Sequence, residues 1–556
     1  MGARERILMV SDLNTFKETN KSIVYLTDSA SVGKRSMDDQ VTGLTEAAVT
    51  GNAYVGGVAS MLVSLDYRFS GEMMGGIVGE KIALAFEAAA KKKIPLIAFV
   101  STGGSDIERG LLSLMQMAKI SVAFEAFSRK GLPFVCVMTN PTTGQIHSSF
   151  ASIADLVFGE KGTVLGLAPD KKDEENPKNV EASLPNSAES LINNGMVDRV
   201  VDRRSLNELL SLSLNLISSR HNVEAVNTRN SSFLIEKTWA NKGHQHLEEL
   251  WPSDWEDVHL STYNQRPTSL DLIKRMFDVF IELHGDRLHG DDPAVVAGLG
   301  ILGGHPVMVI GQEKGHDITA NERHEGRTDP EGFRKAQRMI QLASRLGLPI
   351  ISFVDTPGPN YGLDSEIRGL GNAIALTMRA MIQAQTPTIS VVISEGGSEG
   401  ALAFAMGDRI FMLENAHYLI NSPEKAKDVF HQKIYFRDED SDAISLTAQD
   451  CKELGIVDRL ITEPSGGAGR NPGKAANLLK DSLIEELESI QGLTIKRILR
   501  DRQSKFRQMG EYSSYFRVAL NREASNLQAY VTDRIRLVRE RREQRKTLRK
   551  KKRDSN

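Results

Sequence analysis

The chain has 556 residues, too many for one ordinary hydrophobic core, so two or three domains are expected. Its 40% hydrophobic and 25% charged residues describe a globular protein, and a net charge of -3 excludes overall attraction to nucleic acid or anionic membrane. Two cysteines, Cys136 and Cys451, exclude a disulfide framework and a four-thiolate zinc site, and they read as reduced, buried thiols.

The start, "MGARERILMVSDLNTFKETN", carries no apolar block of signal-peptide length. No apolar run approaches the roughly 20 residues that span a bilayer. A cytoplasmic protein with no membrane segment is the expectation. Next comes a helix over Gly79 to Lys93, "GEKIALAFEAAAKKK", then a buried strand and turn in "IPLIAFVSTGGSDIERG". A second strand and turn follow in "GLPFVCVMTN" and "NPTTGQIHSS". A polar segment, about Ser218 to Arg266, holds Trp239, Trp251 and Trp255; a free linker rarely carries such apolar surface, so much of it should be docked. His244 and His246 lie there as a solvated "HQH", lacking the third spaced ligand of a metal site.

Beyond it, "DPEGFRKAQRMIQLASRLGLP" predicts a helix with Asp329 as N-cap, Pro330 at the first helical position and Glu331 complementing the dipole. Phe333, Ala336, Met339, Ile340, Ala343 and Leu346 form one apolar stripe, stopped near Gly347 and Pro349. The strand and turn of "LPIISFVDTPGPNYGLDSEIRG" then repeat those at Ile94 to Gly110. Three proline pairs share one offset of 254 positions: Pro95 and Pro349, Pro133 and Pro387, Pro169 and Pro423 (349-95, 387-133, 423-169). Two copies of one layered α/β fold follow from that. The last stretch, from Asp533, is dense in Arg and Lys; without stacking aromatics after Tyr530 it reads as a solvated helix end rather than a nucleic-acid arm.

Neither copy offers a nucleophile elbow, a phosphate loop ending in Gly-Lys-Thr/Ser, or an HExxH helix. What recurs is glycine after a strand: "STGGSD" and "NPTTGQIHSS" in the first copy, "DTPGPN" and "SEGGSEGA" in the second. A helix start offers unpaired N–H donors and a positive dipole end, which suit an oxyanion such as a thioester enolate. Tight packing alone also explains any single turn of this kind. Four of them, at matching places, point to a shared site.

On these residues the chain resembles the carboxyltransferase component of bacterial acetyl-CoA carboxylase, within the crotonase superfamily. The second copy is similar to the α subunit through "QRPTSLD", "LHGDRLHGDDPAVVAGLG", "PVMVIGQEKG", "PEGFRKAQRM", "FVDTPG", "EGGSEGALAFAMGD" and "GGAGRNP". The first is similar to the β subunit through "MMGGIVGEKI", "LLSLMQMAK", "GLPFVCVMTNPTTG" and "SSFASIADL". The resemblance implies a β–α fusion of two crotonase-like (ClpP/crotonase) ββα-superhelix domains in tandem. Its parts would be a β-like lobe over 1–220, a docked linker over 221–266, an α-like lobe over 267–515 and a basic tail over 516–556.

It further implies that the β-like lobe holds acyl-CoA, with the N–H groups of Gly144 and Gln145 polarising the thioester carbonyl. The α-like lobe would receive carboxybiotin, with Gly400 and Ala401 donating to the ureido oxygen. Gly75, Gly76, Gly103, Gly104, Gly358, Gly396 and Gly397 would shape the pocket walls, joined by His147 and Glu399. In such enzymes carboxybiotin releases CO2, the freed biotin nitrogen takes the α-proton, and the enolate attacks the CO2, so no side-chain base is needed. Biotin would arrive on a separate biotin carboxyl carrier protein charged by biotin carboxylase, since the chain has no "MKM" and no ATP-binding domain. A homodimer or higher homo-oligomer is implied, with no metal.

The chain departs from that family in lacking the four-cysteine zinc ribbon, in Gln145 where a second glycine is usual, in His147 for a small residue, in "GGSD" for "GGAR" and in Glu399 for glycine. These narrow and polarise the pocket. A decarboxylase using the same chemistry backward, or a non-catalytic paralogue that binds partner subunits, are the alternatives.

Overall fold

The computed structural model describes residues 1–21, 42–44, 46–69, 73–102, 104–105, 111–166, 187–218, 266–419 and 445–509. Met1–Arg502 form one compact unit and Gln503–Asn556 another, of which residues 503–508 are helical. The tryptophans, His244, His246, Pro169, Pro423 and the basic tail lie outside the described residues.

The first lobe contains β1 (Lys17–Thr19), β2 (Ala48–Val55), β3 (Val58–Leu65), β4 (Met73–Met74), β5 (Leu96–Thr102), β6 (Gly104–Ser105), β7 (Phe134–Thr143), β8 (Leu156–Glu160), β9 (Leu165–Gly166) and β10 (Arg199–Val201). Its main sheet runs β1-β2-β3-β5-β7-β8-β10, with β9 on β7; β4 and β6 pair separately. The second lobe contains β11 (Val279–Glu282), β12 (Val295–Leu302), β13 (His305–Gln312), β14 (Ile350–Thr356), β15 (Thr388–Gly397), β16 (Arg409–Leu413), β17 (His417–Leu419), β18 (Ser445–Thr447) and β19 (Arg459–Ile461). Its path is β11-β12-β13-β14-β15-β16-β19, the same plan. In each, an antiparallel hairpin leads into parallel strands joined by helices.

The repeat holds to the residue. β5 and β14 begin 254 positions apart (350-96), and so do β7 and β15 (388-134). Both pairs carry a register shift at the same place, between Val100 and Thr102 and between Val354 and Thr356. β5 and β14 are buried along their whole length, which explains their unbroken runs of branched apolar residues.

The Pro330–Leu346 helix buries all six residues of its apolar stripe and ends on Gly347 in the left-handed conformation. The first-lobe counterpart starts earlier than expected, at Gly76, and ends on Lys93, also left-handed. Asp329 occupies the N-cap position but its side chain does not cap the helix. Its Oδ1 instead accepts from Asn360 Nδ2 (3.0 Å), Ser365 Oγ (3.2 Å) and Arg368 Nη2 (3.3 Å). A guanidinium and two neutral donors outcompete a backbone N–H for that carboxylate.

The lobes meet at a buried acid. Asp198, fully buried, accepts from Val157 N (2.6 Å) in its own lobe and from Arg287 Nη2 (2.5 Å) and Arg338 Nη2 (2.8 Å) in the other. Burial pushes its carboxyl up, but the two guanidiniums and these hydrogen bonds outweigh that and hold it below the usual range. Asp155 likewise takes Arg345 from across the boundary.

Candidate active site

Parallel pairing brings the C-terminal ends of β14 and β15 together, with Thr356 opposite Gly396. β14 continues as Pro357-Gly358-Pro359, and β15 runs directly into a short helix, Ser398–Leu402. The two turns touch through backbone. A Cβ on Gly397 would lie 2.2 Å from Pro357 C and 2.3 Å from its O; one on Gly400 would lie 2.7 Å from Pro359 N. Only glycine permits that approach. Thr356 Oγ1 closes the first turn, donating to Gly358 O (2.7 Å) and accepting from Gly358 N (3.0 Å). Gly396 lies flush against the Tyr418 ring. Gly358, Gly396, Gly397, Glu399, Gly400 and Ala401 thus form one cluster, with Gly400 and Ala401 buried in the first turn of a helix whose N–H groups as far as Gly400 have no intrahelical acceptor.

Side chains that sequence reasoning did not single out brace this cluster. Gln312, fully buried at the end of β13, donates from Nε2 to Gly400 O (2.9 Å) and Thr328 Oγ1 (3.4 Å). Tyr361 OH donates to Glu399 Oε1 (2.7 Å), and Ser398 Oγ donates to the other carboxylate oxygen. Burial and then the Glu399 bond push the Tyr361 phenol up to about 12. Lys314 Nζ reaches Glu395 Oε2 (2.5 Å) and Asp355 Oδ1 (3.1 Å); burial opposes its charge, but the two carboxylates outweigh that and raise its pKa. Arg266 pairs with Glu463 (2.6 Å) and donates to Ile393 O (2.9 Å), tying the lobe's entry to β15. Asp292, His324 and Asp329 bring one ligand-type atom each within 4.8 Å of one another. Burial and then the Asp329 charge push Asp292 up to about 7.

In the first lobe, Gly144 stands at φ +69 after β7 and begins a short helix, Gly144–Ile146. Its carbonyl accepts from His147 N and from Ser148 Oγ (3.3 Å). His147 is half-buried, and burial pushes its pKa down, favouring the neutral ring. β6 packs against this turn, so Gly104 borders it; Gly75 and Gly76 follow β4, the strand paired with β6. Gly103 and the Gln145 side chain lie outside the described residues.

The two turns are equivalent, but not as the donor pairs imply. Gly144 matches Ser398, 254 positions on (398-144), and both have positive φ, +69 and +52. By that register Gln145 matches Glu399 and Ile146 matches Gly400. The pair Gly144 and Gln145 is therefore displaced by two residues from the pair Gly400 and Ala401. A glycine-counting comparison of "TTGQIHSS" with "GGSEGA" conceals the shift because serine, not glycine, holds the left-handed position in the second lobe.

Residues 201–510 match the family model for acetyl co-enzyme A carboxylase carboxyltransferase-like proteins. The acetyl-coenzyme A carboxylase carboxyl transferase subunits beta/alpha of Clostridium tetani is 36% identical over 521 residues, covering 92% of this chain and 88% of that protein. This chain belongs to the acetyl-CoA carboxylase carboxyltransferase family. The carboxyltransferase is also 40% identical over 281 residues, half of its own length, to the alpha subunit from Thermus thermophilus, which covers 88% of that protein. Among solved structures it is similar to the transcarboxylase 12S core (TM-score 0.66, 20% identity, 86% of this chain and 89% of that one). It also matches a single-chain, multi-domain long-chain acyl-CoA carboxylase (TM-score 0.62, 18% identity, 84% of this chain and 45% of that one). These structures establish the tandem crotonase fold that the resemblance implied. The protein is an enzyme of the biotin-dependent carboxyltransferase class. No described helix is long and apolar enough to cross a membrane.

Proposed function

We propose that the protein moves a carboxyl group from carboxybiotin, carried by a separate biotin carboxyl carrier protein and charged by biotin carboxylase, to acetyl-CoA, giving malonyl-CoA. The observation that carries this reading is the duplicated strand–turn–helix. Each lobe ends its central strand in a left-handed residue followed at once by a helix start, which aims backbone donors rather than an acid–base dyad.

The first lobe takes the acyl-CoA. Its thioester carbonyl accepts from the N–H groups of the Gly144 turn, Gly144 and Gln145 foremost. As the α-proton leaves, charge collects on that oxygen, and fixed dipoles stabilise it without reorganising. The neutral His147 ring adds bulk beside it without adding charge. The second lobe takes the biotin head, whose ureido oxygen accepts from Gly400 and Ala401. The close approach of Gly397 and Gly400 to Pro357, Gly358 and Pro359 locks the two turns together, so the donors that face the ring are held in place. Bound there, carboxybiotin supplies CO2 and the nitrogen that accepts the α-proton.

Exposed apolar side chains support homo-oligomerisation, the simplest form being a dimer. Leu363 and Ile367 stand on one exposed face of the Leu363–Ile367 helix at 78% and 77% exposure, and Val122 on the Leu111–Ser128 helix is 72% exposed. Pairing a first lobe with a neighbour's second would cover such faces and place the two turns opposite each other.

The test is transfer of labelled carboxyl from carboxylated carrier protein to acetyl-CoA and to longer acyl-CoAs. Label appearing in malonyl-CoA supports the reading; no transfer to any acyl-CoA overturns it.

A further inference from the structure

The peptide unit between Gly400 and Ala401 is planar, so the Gly400 carbonyl and the Ala401 N–H point in opposite directions from one rigid plate. Whatever holds the carbonyl aims the N–H. The short helix cannot hold it by continuing, because it stops: Phe404 N donates to Ala401 O (3.0 Å) instead. Gln312 Nε2 supplies the missing donor at 2.9 Å. A carbonyl oxygen only accepts, so the amide nitrogen must face it.

Gln312 is itself fixed. Ser269 Oγ donates to its backbone carbonyl (2.5 Å), and its second amide hydrogen points to Thr328 Oγ1. Thr328 bridges to Pro359, the turn that Gly400 packs against, and its carbonyl takes Asn360 N (2.9 Å). One buried side chain thus links the three backbone segments that frame the turn. In the first lobe the Gly144 carbonyl is held from within its own turn, by His147 N and Ser148 Oγ (3.3 Å). There β3 ends in Leu65 where β13 ends in Gln312, and leucine has no donor.

We infer that Gln312 is a positioning residue: by holding the Gly400 carbonyl it aims the Ala401 N–H at the biotin-side oxyanion. This rests on the donor role proposed above for Ala401. It also makes the two turns unequal, one braced from within by Ser148 and the other by a side chain from a different strand.

Two full-length variants test it. Gln312→Leu removes the donor with similar bulk. It should lower turnover with carboxylated carrier by the order of 10²-fold expected for a catalytic group displaced by about 1 Å. It should speed hydrogen exchange of the backbone amides over residues 398–405 and leave acetyl-CoA binding by calorimetry unchanged, because that ligand belongs to the first lobe. Gln312→Glu is close to isosteric and guards against misfolding. A protonated carboxyl there can donate to Gly400 O, and an ionised one cannot. Burial and the acidic groups Glu313, Asp329, Asp292 and Glu399 favour the protonated form; Lys314 two residues on, Arg327 beside Thr328 and Arg323 near Glu313 oppose it, with Lys314 already paired to Glu395 and Asp355.

Turnover of Gln312→Glu relative to the unaltered enzyme should therefore recover as pH falls, while that of Gln312→Leu stays flat. A merely structural role predicts one shared profile for both variants, and that result, or unchanged exchange in Gln312→Leu, overturns the inference. If the unaltered enzyme moves no carboxyl group to any acyl-CoA, the functional reading fails. The exchange measurement still decides Gln312: faster exchange supports it and unchanged exchange removes it.

Discussion

Gly397→Ala probes the contact between the two second-lobe turns, and the geometry of that contact fixes the size of its effect. The added Cβ would lie 2.2 Å from Pro357 C, where ordinary contact begins near 3.4 Å, so the turns must part by 1.2 Å (3.4-2.2). Both facing atoms are backbone, and no rotamer change relieves them. Overpacking of this kind costs about 1–3 kcal/mol of stability. A displacement of about 1 Å in an oxyanion donor costs on the order of 10²-fold in rate, so turnover should fall far more than stability. The assay pairs the carboxyl-transfer rate with the urea midpoint. Gly371→Ala is the control, lying in the Leu370–Gln383 helix with nothing within 4 Å of its added Cβ; there a gain of about 0.5–1 kcal/mol and full turnover are expected. Full turnover in Gly397→Ala would refute the claim that contact between the turns sets donor position.

Gln145→Gly keeps a backbone N–H, so carboxyl transfer should persist while acyl-CoA preference moves toward acetyl-CoA; a folded variant inactive on every acyl-CoA would make Gln145 itself catalytic. Glu399→Gly removes a carboxylate beside the proposed biotin donors and should raise turnover with carboxybiotin. It should also let the Tyr361 phenol titrate below about 12, read as the absorbance titration that Tyr361→Phe abolishes. Asp198→Ala strips two buried guanidiniums of their shared partner and should cost about 3–5 kcal/mol, measured by urea unfolding. His316 donates to Asp271 (2.7 Å); this bond first, with burial opposing, raises its pKa above 6.5. Its contribution is then full below pH 6.5 and fades as pH rises through the raised value. With both side chains about a third exposed, thermal unfolding of His316→Asn should show a stability slope above pH 6.5 flatter by under about 1 kcal/mol in total.

Much of the fold was legible because a duplicated chain carries its own internal control. The proline offset of 254 predicted the strand offsets to the residue, since prolines there mark strand entry and strand length is fixed by the sheet. The stripe from Phe333 to Leu346 was legible because helix periodicity is local. What escaped were choices made between distant segments. Gln312 meets Gly400 across 88 positions, and its place at the end of an apolar strand gives no hint of its partner. Asp329 has the chemistry of an N-cap, yet three donors from residues 360–368 claim one of its oxygens. The displaced donor pairs escaped because sequence spacing shows which residue is glycine, not which residue has positive φ.

The central claim is that backbone N–H groups carry the chemistry. Gly400→Pro would remove one donor, but any Cβ there also strikes Pro359 N at 2.7 Å, so loss of activity would be ambiguous. Replacing Ala401 by its α-hydroxy acid, lactic acid, exchanges one N–H for an ester oxygen and leaves every side chain in place. Carboxyl-transfer turnover of that protein, measured beside acetyl-CoA affinity, should fall by roughly 10²–10³-fold with affinity unchanged; turnover equal to that of the all-amide protein would contradict the account.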